Sequence, residues 1–346
     1  MKMAKELCPE AVVIRGNAGT YSKYSDVVTE IIKEHVPLFE KSSIDEFYAD
    51  LSGMDRFFGC YRYASEMRKR IIHETGLPIS FGLSVNKVVS KVATNEAKPN
   101  NQLKIDFGHE KPFLAPLSIK KIPMVGDKTY QTLRNLGIRK VQTVQEMPMD
   151  IMQRVLGANG AVIWKRANGI DHTPVIPFHD RKSISTERTF DRDTIDVNKL
   201  KGILIAMTEN LAYQLRRGDK LTACIAVKIR YSDFNTYSKQ LRIPYTSADH
   251  VLISKILELF QSLYNKRMLV RLVGIRFSHL VSGNYQINLF EDTEETLNLY
   301  QAMDYVRKRF GDRSVFRASA MGAKTIGRMH NPFNGLPPVV LAHRKQ

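Results

Sequence analysis

The sequence predicts an α+β protein of several domains, and three observations support this prediction. The chain has 346 residues, more than a single compact core usually contains. Helical and strand patterns alternate up to about residue 113, whereas residues 114–174 show only short helical patterns. Residues 183–280 then follow the order strand, helix, strand, strand, helix, strand, which is the split β-α-β-β-α-β arrangement.

The individual elements follow from the spacing of apolar residues. Near the N-terminus this spacing predicts helices over 21–35, 54–74 and 86–96 and strands over 41–51 and 78–84. Farther along it predicts strands over 184–190, 222–231, 236–243 and 269–278 and helices over 197–217 and 248–265. A last helix is predicted over 294–310.

The charge of the chain indicates a polyanionic partner. Its 52 Lys and Arg against 35 Asp and Glu give a net charge of +17, which favours nucleic acid or an anionic membrane. A membrane is disfavoured, because no apolar run approaches the ~20 residues of a spanning helix and no amphipathic segment concentrates Lys and Arg. Residues 181–280 alone hold 18 Lys and Arg against 9 Asp and Glu, a net charge of +9.

Four basic residues lie on neighbouring predicted strands of this region: Lys228, Arg230, Lys239 and Arg242. They are suited to contact the phosphate backbone of DNA. The alternative is a solvated basic face without a ligand. Three scattered cysteines, Cys8, Cys60 and Cys224, have no metal-like spacing, and no signal peptide is apparent, so a reducing compartment, the cytoplasm, is expected.

Two adjacent carboxylates, Asp45 and Glu46, lie inside the predicted strand 41–51. Because neighbouring strand residues point to opposite faces, both can reach one metal ion only at a strand end or a bend. There the pair would suit Mg²⁺; alternatively it is surface charge. Asp50 is interpreted as a turn or helix cap.

Lys98 follows the predicted helix 86–96 and precedes Pro99, where the chain turns. A lysine at this position is suited to the phosphates of a nucleotide, although it would equally suit the dipole at a helix C-terminus. A metal site and such a lysine on a basic protein together indicate phosphoryl or nucleotidyl transfer along a nucleic acid.

Residues 122–138 resemble a helix–hairpin–helix, in which backbone N–H groups of a tight turn bind a phosphate. The candidate contacts are Val125, Gly126 and Lys128. Met124 stands where such hairpins have their first glycine, and an ordinary pair of packed helices is the alternative. Farther on, Gln286, Leu289 and Phe290 form a short pattern suited to docking into a hydrophobic groove.

Together, these segments resemble the Y-family translesion DNA polymerases of the bacterial DNA polymerase IV type. Residues 43–50, Ser-Ile-Asp-Glu-Phe-Tyr-Ala-Asp, are similar to the family's palm motif. Residues 82–91 with 97–100 are similar to its G-x-S-x-N-K…A-K-P-N segment. Residues 182–190 and 273–276 resemble the first and last strands of its little-finger domain.

The resemblance implies a domain order. It implies a palm over 1–105, a helix–hairpin–helix thumb over 106–174, a linker over 175–182, a little finger over 183–281, and a clamp-binding peptide with a tail over 282–346. Asp45 and Glu46 become catalytic Mg²⁺ ligands, Lys98 a triphosphate contact, and Gln286, Leu289 and Phe290 a sliding-clamp contact. The implied activity is error-prone, low-processivity translesion synthesis on primer–template DNA from deoxynucleoside triphosphates, in DNA repair and SOS mutagenesis, by a monomer.

The N-terminus departs from the family pattern. The first residues resemble the segment after the fingers, so the palm is expected to be incomplete, without its first metal-binding Asp, the ribonucleotide-excluding aromatic residue and the fingers. The resemblance then implies that polymerase activity belongs to a longer protein. The alternative is a non-catalytic remnant that binds primer termini and the sliding clamp.

Overall fold

The computed structural model describes residues 2–12, 14, 17–54, 59–177, 181–283, 294–311 and 314–321. The chain divides into two compact units, with the boundary at residues 179 and 180. Both units combine helices and strands, which confirms the predicted α+β class. No helix in these described ranges has the length and apolar character needed to cross a membrane. The three cysteines are free thiols.

The first unit begins with two helices and a hairpin. Its elements are α1 (Lys2–Leu7), α2 (Ala18–His35), β1 (Leu38–Lys41), β2 (Phe47–Asp50) and α3 (Cys60–Thr75). Helix α2 starts where the Asn17 side chain accepts a hydrogen bond from the Thr20 N–H, a standard N-cap. Apolar residues on the inner faces of α2 and α3 then pack together with Leu51 after the hairpin. This cluster consists of Val28, Ile31, Ile32, Val36, Leu51, Ala64 and Ile71.

The single strand predicted over 41–51 is wrong, because the chain folds back on itself within it. Strands β1 and β2 pair antiparallel, from Leu38 opposite Asp50 to Lys41 opposite Phe47. The turn between them is closed by the Ser42 N–H, which donates to the Glu46 carbonyl at 2.9 Å. Asp50 is a turn cap, as interpreted: its carboxylate accepts from the Ser52 N–H at 2.9 Å, and this contact with Ser52 lowers its pKa.

A parallel strand pair follows, joined by a helix. Strand β3 (Phe81–Leu83) pairs with β4 (Gln102–Lys104), and α4 (Lys87–Glu96) connects them. A Cβ atom on Gly82 would lie 2.4 Å from the Ser90 carbonyl oxygen, so only glycine allows α4 to pack this closely on β3. The Asn86 side chain accepts from the Val89 N–H at 2.9 Å and starts the helix.

The rest of the first unit is helical up to residue 167, as predicted. The helices are α5 (Glu110–Leu114), α6 (Asp127–Asn135), α7 (Val141–Glu146), α8 (Met149–Leu156) and α9 (Ala158–Ala167), with a 3-10 turn at Ile119–Lys121. Their buried side chains form one core with Val89 and Val92 from α4. The chain then continues without regular structure from Ile170 to Pro177.

The second unit has the predicted split β-α-β-β-α-β order. Its elements are β5 (Ser183–Thr194), α10 (Val197–Arg217), β6 (Lys220–Tyr231), β7 (Thr236–Thr246), α11 (Asp249–Leu263) and β8 (Val270–Ser282). The four strands form an antiparallel sheet in the order β5-β8-β6-β7. Both helices bury their apolar faces on one side of this sheet, against residues such as Val227, Val273 and Ile275. In the described part of the chain, no helix or strand covers the other side of the sheet.

The last long helix, α12 (Glu294–Phe310), belongs to the helical side of the second unit. Arg216 of α10 donates to both carboxylate oxygens of Asp304, at 2.6 and 2.9 Å, and to Asp249 at 2.7 Å. Tyr300 is 2 % exposed, and its hydroxyl lies 2.7 Å from His250 Nδ1. The helix therefore extends this unit on the side that α10 and α11 occupy.

Candidate active site and nucleic-acid interface

The two candidate metal ligands lie in the turn between β1 and β2. Asp45 is exposed and accepts a hydrogen bond from the Ser43 hydroxyl at 2.5 Å. Glu46 directly precedes β2. The hairpin therefore supplies the bend that adjacent carboxylates need in order to reach a single ion, and the sequence alone had indicated only an unbroken strand.

Glu46 is held against helix α4 by an ion pair. Lys91 donates to its carboxylate, and both side chains are partly exposed. Lys98 lies seven residues farther along the same chain segment, just after α4, and is exposed. Seven residues correspond to two helical turns, or about 10 Å. One helix thus leads from the carboxylate turn towards the candidate phosphate-binding lysine.

The donor set of this turn fits a divalent cation. Asp45 and Glu46 both offer hard oxygen ligands on accessible side chains, and Mg²⁺ is typically bound by one or two carboxylates plus substrate phosphates and water. Among the residues that the structure describes, no group of three or more His, Cys, Asp and Glu side chains is placed to hold a metal ion.

In the candidate helix–hairpin–helix segment the chain turns at Met124, where the first glycine is missing. Met124 has a φ of 76°, a left-handed conformation that favours glycine. The Val125 side chain is buried and its N–H donates to the Ile122 carbonyl at 3.1 Å, so a phosphate contact through this N–H would have to replace that bond. Gly126 is the N-cap of α6, and Lys128 is exposed in its first turn.

This backbone conformation gives a prediction for stability. Met124→Gly is expected to stabilise the first unit by about 0.5–1 kcal/mol, because glycine adopts positive φ without steric cost. Met149→Gly, at the first residue of α8, is the matched control and should not stabilise the unit, since a helical backbone gains nothing from glycine. Urea unfolding followed by the fluorescence of Trp164, the single tryptophan, measures both changes. A destabilised Met124 variant would contradict the prediction.

The open face of the second unit's sheet is the second candidate site. It forms a shallow concavity of about 1000 Å³. Its floor carries small side chains at paired or neighbouring positions on all four strands. These small residues are Ser185, Ala226, Gly274, Ser278 and Ser238. Basic side chains, among them Lys182, Lys228 and Arg276, surround this floor, and Glu187 is the acidic residue among the lining residues.

Strand register decides which basic residues share this face. Lys228 pairs with Ser238, Arg230 with Thr236, and Arg242 with Cys224, so Lys228, Arg230 and Arg242 have the same parity on β6 and β7. Lys239 is paired with Val227, whose side chain is buried against the helices. Directly paired residues point to the same side of a sheet. The Lys239 side chain therefore points to the opposite side from the other three, although the residue itself borders the concavity on the exposed edge strand.

Two of these side chains already have partners within the unit. Lys228 donates to Glu187 of β5, and Arg230 donates to the Thr236 hydroxyl at 2.8 Å. A phosphate that contacts Lys228 would compete with Glu187. Because a Cβ on Gly274 would lie 2.8 Å from Cγ of Glu187, glycine at this position leaves room for the Glu187 side chain between the strands.

Two basic residues of this face were missed in the sequence analysis. Arg276 is exposed on β8 and is paired with Ala226 of β6 and Ser185 of β5. Lys182 lines the same concavity just before β5. The alternation of apolar and polar residues along β8 could have predicted the exposed position of Arg276. Ile275 and Phe277, on either side of it, are apolar and buried, so Arg276 points to the opposite face. The candidate clamp contacts Gln286, Leu289 and Phe290 lie outside the described residues.

Comparison with known proteins identifies the family of this chain. The model of the impB/mucB/samB family matches residues 1–95, and that of the impB/mucB/samB family C-terminal domain matches residues 181–289. DNA polymerase IV of Dehalococcoides mccartyi strain BAV1 is 33% identical over 315 residues, which cover 90% of this chain and 81% of the relative. The chain belongs to the Y-family DNA polymerases, of the DNA polymerase IV type. This is a family of DNA-directed DNA polymerases.

Further comparisons support the same family assignment. DNA polymerase IV 2 of Bacillus subtilis strain 168 is 30% identical over 332 residues, covering 92% of this chain and 80% of the relative. The fold resembles a solved insertion ternary complex of Dbh DNA polymerase, with a TM-score of 0.56 and 23% identity over 82% of each chain. It also resembles a Y-family chimera, Dbh-Dpo4(243-245)-Dbh, with a TM-score of 0.68 and 21% identity over 82% of each chain.

Proposed function

We propose that this protein performs template-directed DNA synthesis past damaged template positions. The observation that carries the proposal is the carboxylate turn of Asp45 and Glu46, held against the helix that precedes Lys98. A metal site and a phosphate-binding lysine are the two parts that nucleotidyl transfer requires. Residues 1–105 would serve as the palm, 106–174 as the thumb and 183–281 as the little finger, joined by a linker at 175–182.

In this proposal Asp45 and Glu46 hold Mg²⁺, which when bound supplies Lewis-acid stabilisation of the charge on the reacting phosphate. The residues themselves position the primer terminus and nucleotide. Lys98 contacts the triphosphate and offsets its charge. Asp45 needs no rearrangement to reach an ion, because its carboxylate is exposed, whereas Glu46 has to be shared with or released by Lys91.

The two basic surfaces would hold the duplex. In the thumb, the N–H groups at the start of α6 and Lys128 bind backbone phosphate. In the little finger, Lys228, Arg230, Arg242 and Arg276 bind it on the open face, and Lys239 from the edge strand. Few protein contacts to the nascent base pair would give low fidelity. Weak binding of the duplex would give low processivity, as in SOS mutagenesis and DNA repair.

We further propose that a monomer works in the cytoplasm and that Gln286, Leu289 and Phe290 bind a sliding clamp. The clamp supplies the processivity that two shallow basic surfaces lack. A Phe290→Ala variant tests this contact: a buried aromatic anchor is worth about 2 kcal/mol or more, a loss of roughly 30-fold in clamp affinity.

The experiment that tests the main proposal combines two assays on the same protein. Primer–template binding is measured by fluorescence anisotropy, and extension is measured with Mg²⁺ and four deoxynucleotides on a normal template and on one with an abasic site. Extension past the abasic site supports the proposal. Absence of both binding and extension would exclude it.

Binding to DNA without synthesis is the second candidate function, and the ion pair between Lys91 and Glu46 favours it. This pair occupies a carboxylate that the reaction needs for metal. A chain acting in this way would occupy primer ends and the clamp without adding nucleotides. Binding of primer–template with normal affinity but no extension would be its signature.

The open sheet face gives a further prediction. Arg276→Gln is expected to weaken binding of primer–template about fivefold and to lower the slope of log K against log salt by about 0.9, the loss of one phosphate contact. Lys255→Gln, on α11 and paired with Glu258, is the matched control and should change neither. Anisotropy titrations at several salt concentrations measure both quantities. An unchanged salt slope would show that Arg276 makes no phosphate contact.

A further inference from the structure

Helix α4 presents two lysines to the hairpin of β1 and β2, and each of them meets a carboxylate there. Lys87 and Lys91 are four residues apart, so they lie on the same face of the helix. Lys87 donates to Glu40 of β1 at 2.6 Å, and Lys91 donates to Glu46 in the turn. Two ion pairs therefore join the helix to the hairpin, and one of them includes a candidate metal ligand.

The two ion pairs differ in how closely they are enclosed. The side chains of Lys87 and Glu40 are 16 % and 12 % exposed, and Glu40 also accepts a hydrogen bond from the Ile176 N–H at 2.9 Å. The side chains of Lys91 and Glu46 are 28 % and 41 % exposed. A pair as exposed as this one contributes only about 0–1 kcal/mol of stability. Glu40 is thus a fixed structural partner, whereas Glu46 can be released at little cost.

The two carboxylates of the turn also differ in the charge beside them. Asp45 accepts a hydrogen bond from the neutral Ser43 hydroxyl at 2.5 Å. Among the described residues, Glu46 forms an ion pair and Asp45 forms none. Half of the negative charge that the turn offers to a metal ion is therefore already balanced by the Lys91 ammonium.

Lys91 cannot carry this positive charge far from the turn. Less than a third of its side chain is exposed, and the helix that bears it packs closely on β3 at Gly82. A divalent cation bound by Glu46 would therefore lie close to the ammonium. Like charges at such a separation repel each other even in a partly solvated site. The ammonium must then lower the affinity of the turn for the ion.

We propose that Lys91 is a positioning residue that acts as an internal counter-cation of Glu46 and sets the Mg²⁺ concentration at which Asp45 and Glu46 bind the ion. The inference rests on the proposed function, in which these carboxylates are the metal ligands. Lys91 has to release Glu46 to the ion, so the turn binds free Mg²⁺ weakly. The phosphates of a nucleotide supply negative charge that offsets Lys91. The ion pair therefore disfavours occupation of the turn before the nucleotide is present.

Lys91→Met tests this inference, because methionine keeps an unbranched, flexible side chain but removes the charge. Lys91→Arg keeps the charge, and Lys121→Met, which breaks the ion pair with Glu96 at the end of α4, is the matched control. Mn²⁺ is the probe, and its binding to each full-length variant is titrated by electron paramagnetic resonance without nucleotide or DNA. Adding Asp45→Asn to Lys91→Met shows whether the ion binds in the turn.

Lys91→Met is expected to bind Mn²⁺ about fivefold more tightly than the unaltered chain. The Mg²⁺ concentration for half-maximal primer extension should fall by about the same factor. Lys91→Arg and Lys121→Met should leave the Mn²⁺ affinity unchanged, and Asp45→Asn should abolish the gain.

Two results would overturn the inference, and they differ in what they say about the proposed function. Equal Mn²⁺ affinity of Lys91→Met and the unaltered chain would reject the role of Lys91 and leave the proposed function intact. Absence of Mn²⁺ binding in Lys91→Met would show that Asp45 and Glu46 do not form a metal site. That result would reject the proposed function together with the inference.

Discussion

Replacing Asp45 by asparagine is expected to slow primer extension by about a thousandfold, or about 4 kcal/mol in activation free energy. The change removes a negative ligand from the turn between β1 and β2 but keeps a side chain of the same size. Because the proposed DNA-binding surfaces are elsewhere, the affinity for primer–template should change less than twofold. Single-turnover extension and anisotropy on the same preparation measure the two effects.

Asp50→Asn is the matched control for this change. Asp50 ends the same strand β2 but caps a turn through the Ser52 N–H, and asparagine can accept that hydrogen bond equally well. Its variant should extend primers at the rate of the unaltered protein. Extension that survives Asp45→Asn would mean that other carboxylates hold the metal.

The largest expected effect on stability comes from Arg216. Its side chain is 8 % exposed and contacts Asp249, which is fully buried, and Asp304. Burial by itself lowers the pKa of Arg216, but the hydrogen bonds and charges of these two carboxylates outweigh it and raise the pKa. Arg216→Met removes the ion pair of the buried Asp249 and leaves Asp304 with only the longer contact to Arg307 at 3.6 Å, so the second unit should lose about 3–5 kcal/mol of stability.

The single tryptophan makes this loss measurable for one unit at a time. Trp164 belongs to the first unit, so its fluorescence in urea should be unchanged in Arg216→Met, whereas circular dichroism should show an earlier transition. Arg217→Met, next to it and exposed, is the control. Adding Asp249→Asn and Asp304→Asn to Arg216→Met should restore part of the loss. Equal transitions in Arg216→Met and Arg217→Met would contradict the prediction.

The sequence predicted elements best where one face of the element is buried. Helix α10 begins and ends at the predicted residues, 197 and 217, because its apolar spacing continues without interruption between an Asp cap and a glycine. The order of the second unit followed in the same way. The family resemblance, carried by residues 43–50 and 82–100, is confirmed by the relatives.

Short turns and strand parity were harder to predict. The hairpin at 42–46 was missed because its residues are Ser-Ser-Ile-Asp-Glu, without the glycine or proline that usually marks a turn. The placement of Lys239 was accessible in principle, because an odd separation from Arg242 puts the two on opposite sides of one strand. The grouping of all four basic residues relied on charge alone.

Contacts between distant residues could not be predicted from local patterns at all. Glu40 meets Lys87 and Ile176, 47 and 136 residues away along the chain. Asp304 meets Arg216 at a separation of 88 residues. No periodicity links such positions, since the fold alone brings them together. The position of α12 on the helical side of the second unit was left open for the same reason.

The small side chains on the open sheet face have a consequence for what the protein can distinguish. Serine, alanine and glycine at 185, 226, 238, 274 and 278 are too short to read base edges in a groove, whereas lysine and arginine side chains such as those around them have the length and charge to contact phosphates. If this face holds DNA as proposed, its affinity should be nearly the same for every base sequence and for damaged and undamaged templates. A polymerase that copies damaged templates benefits from a DNA-binding surface whose contacts do not depend on base identity.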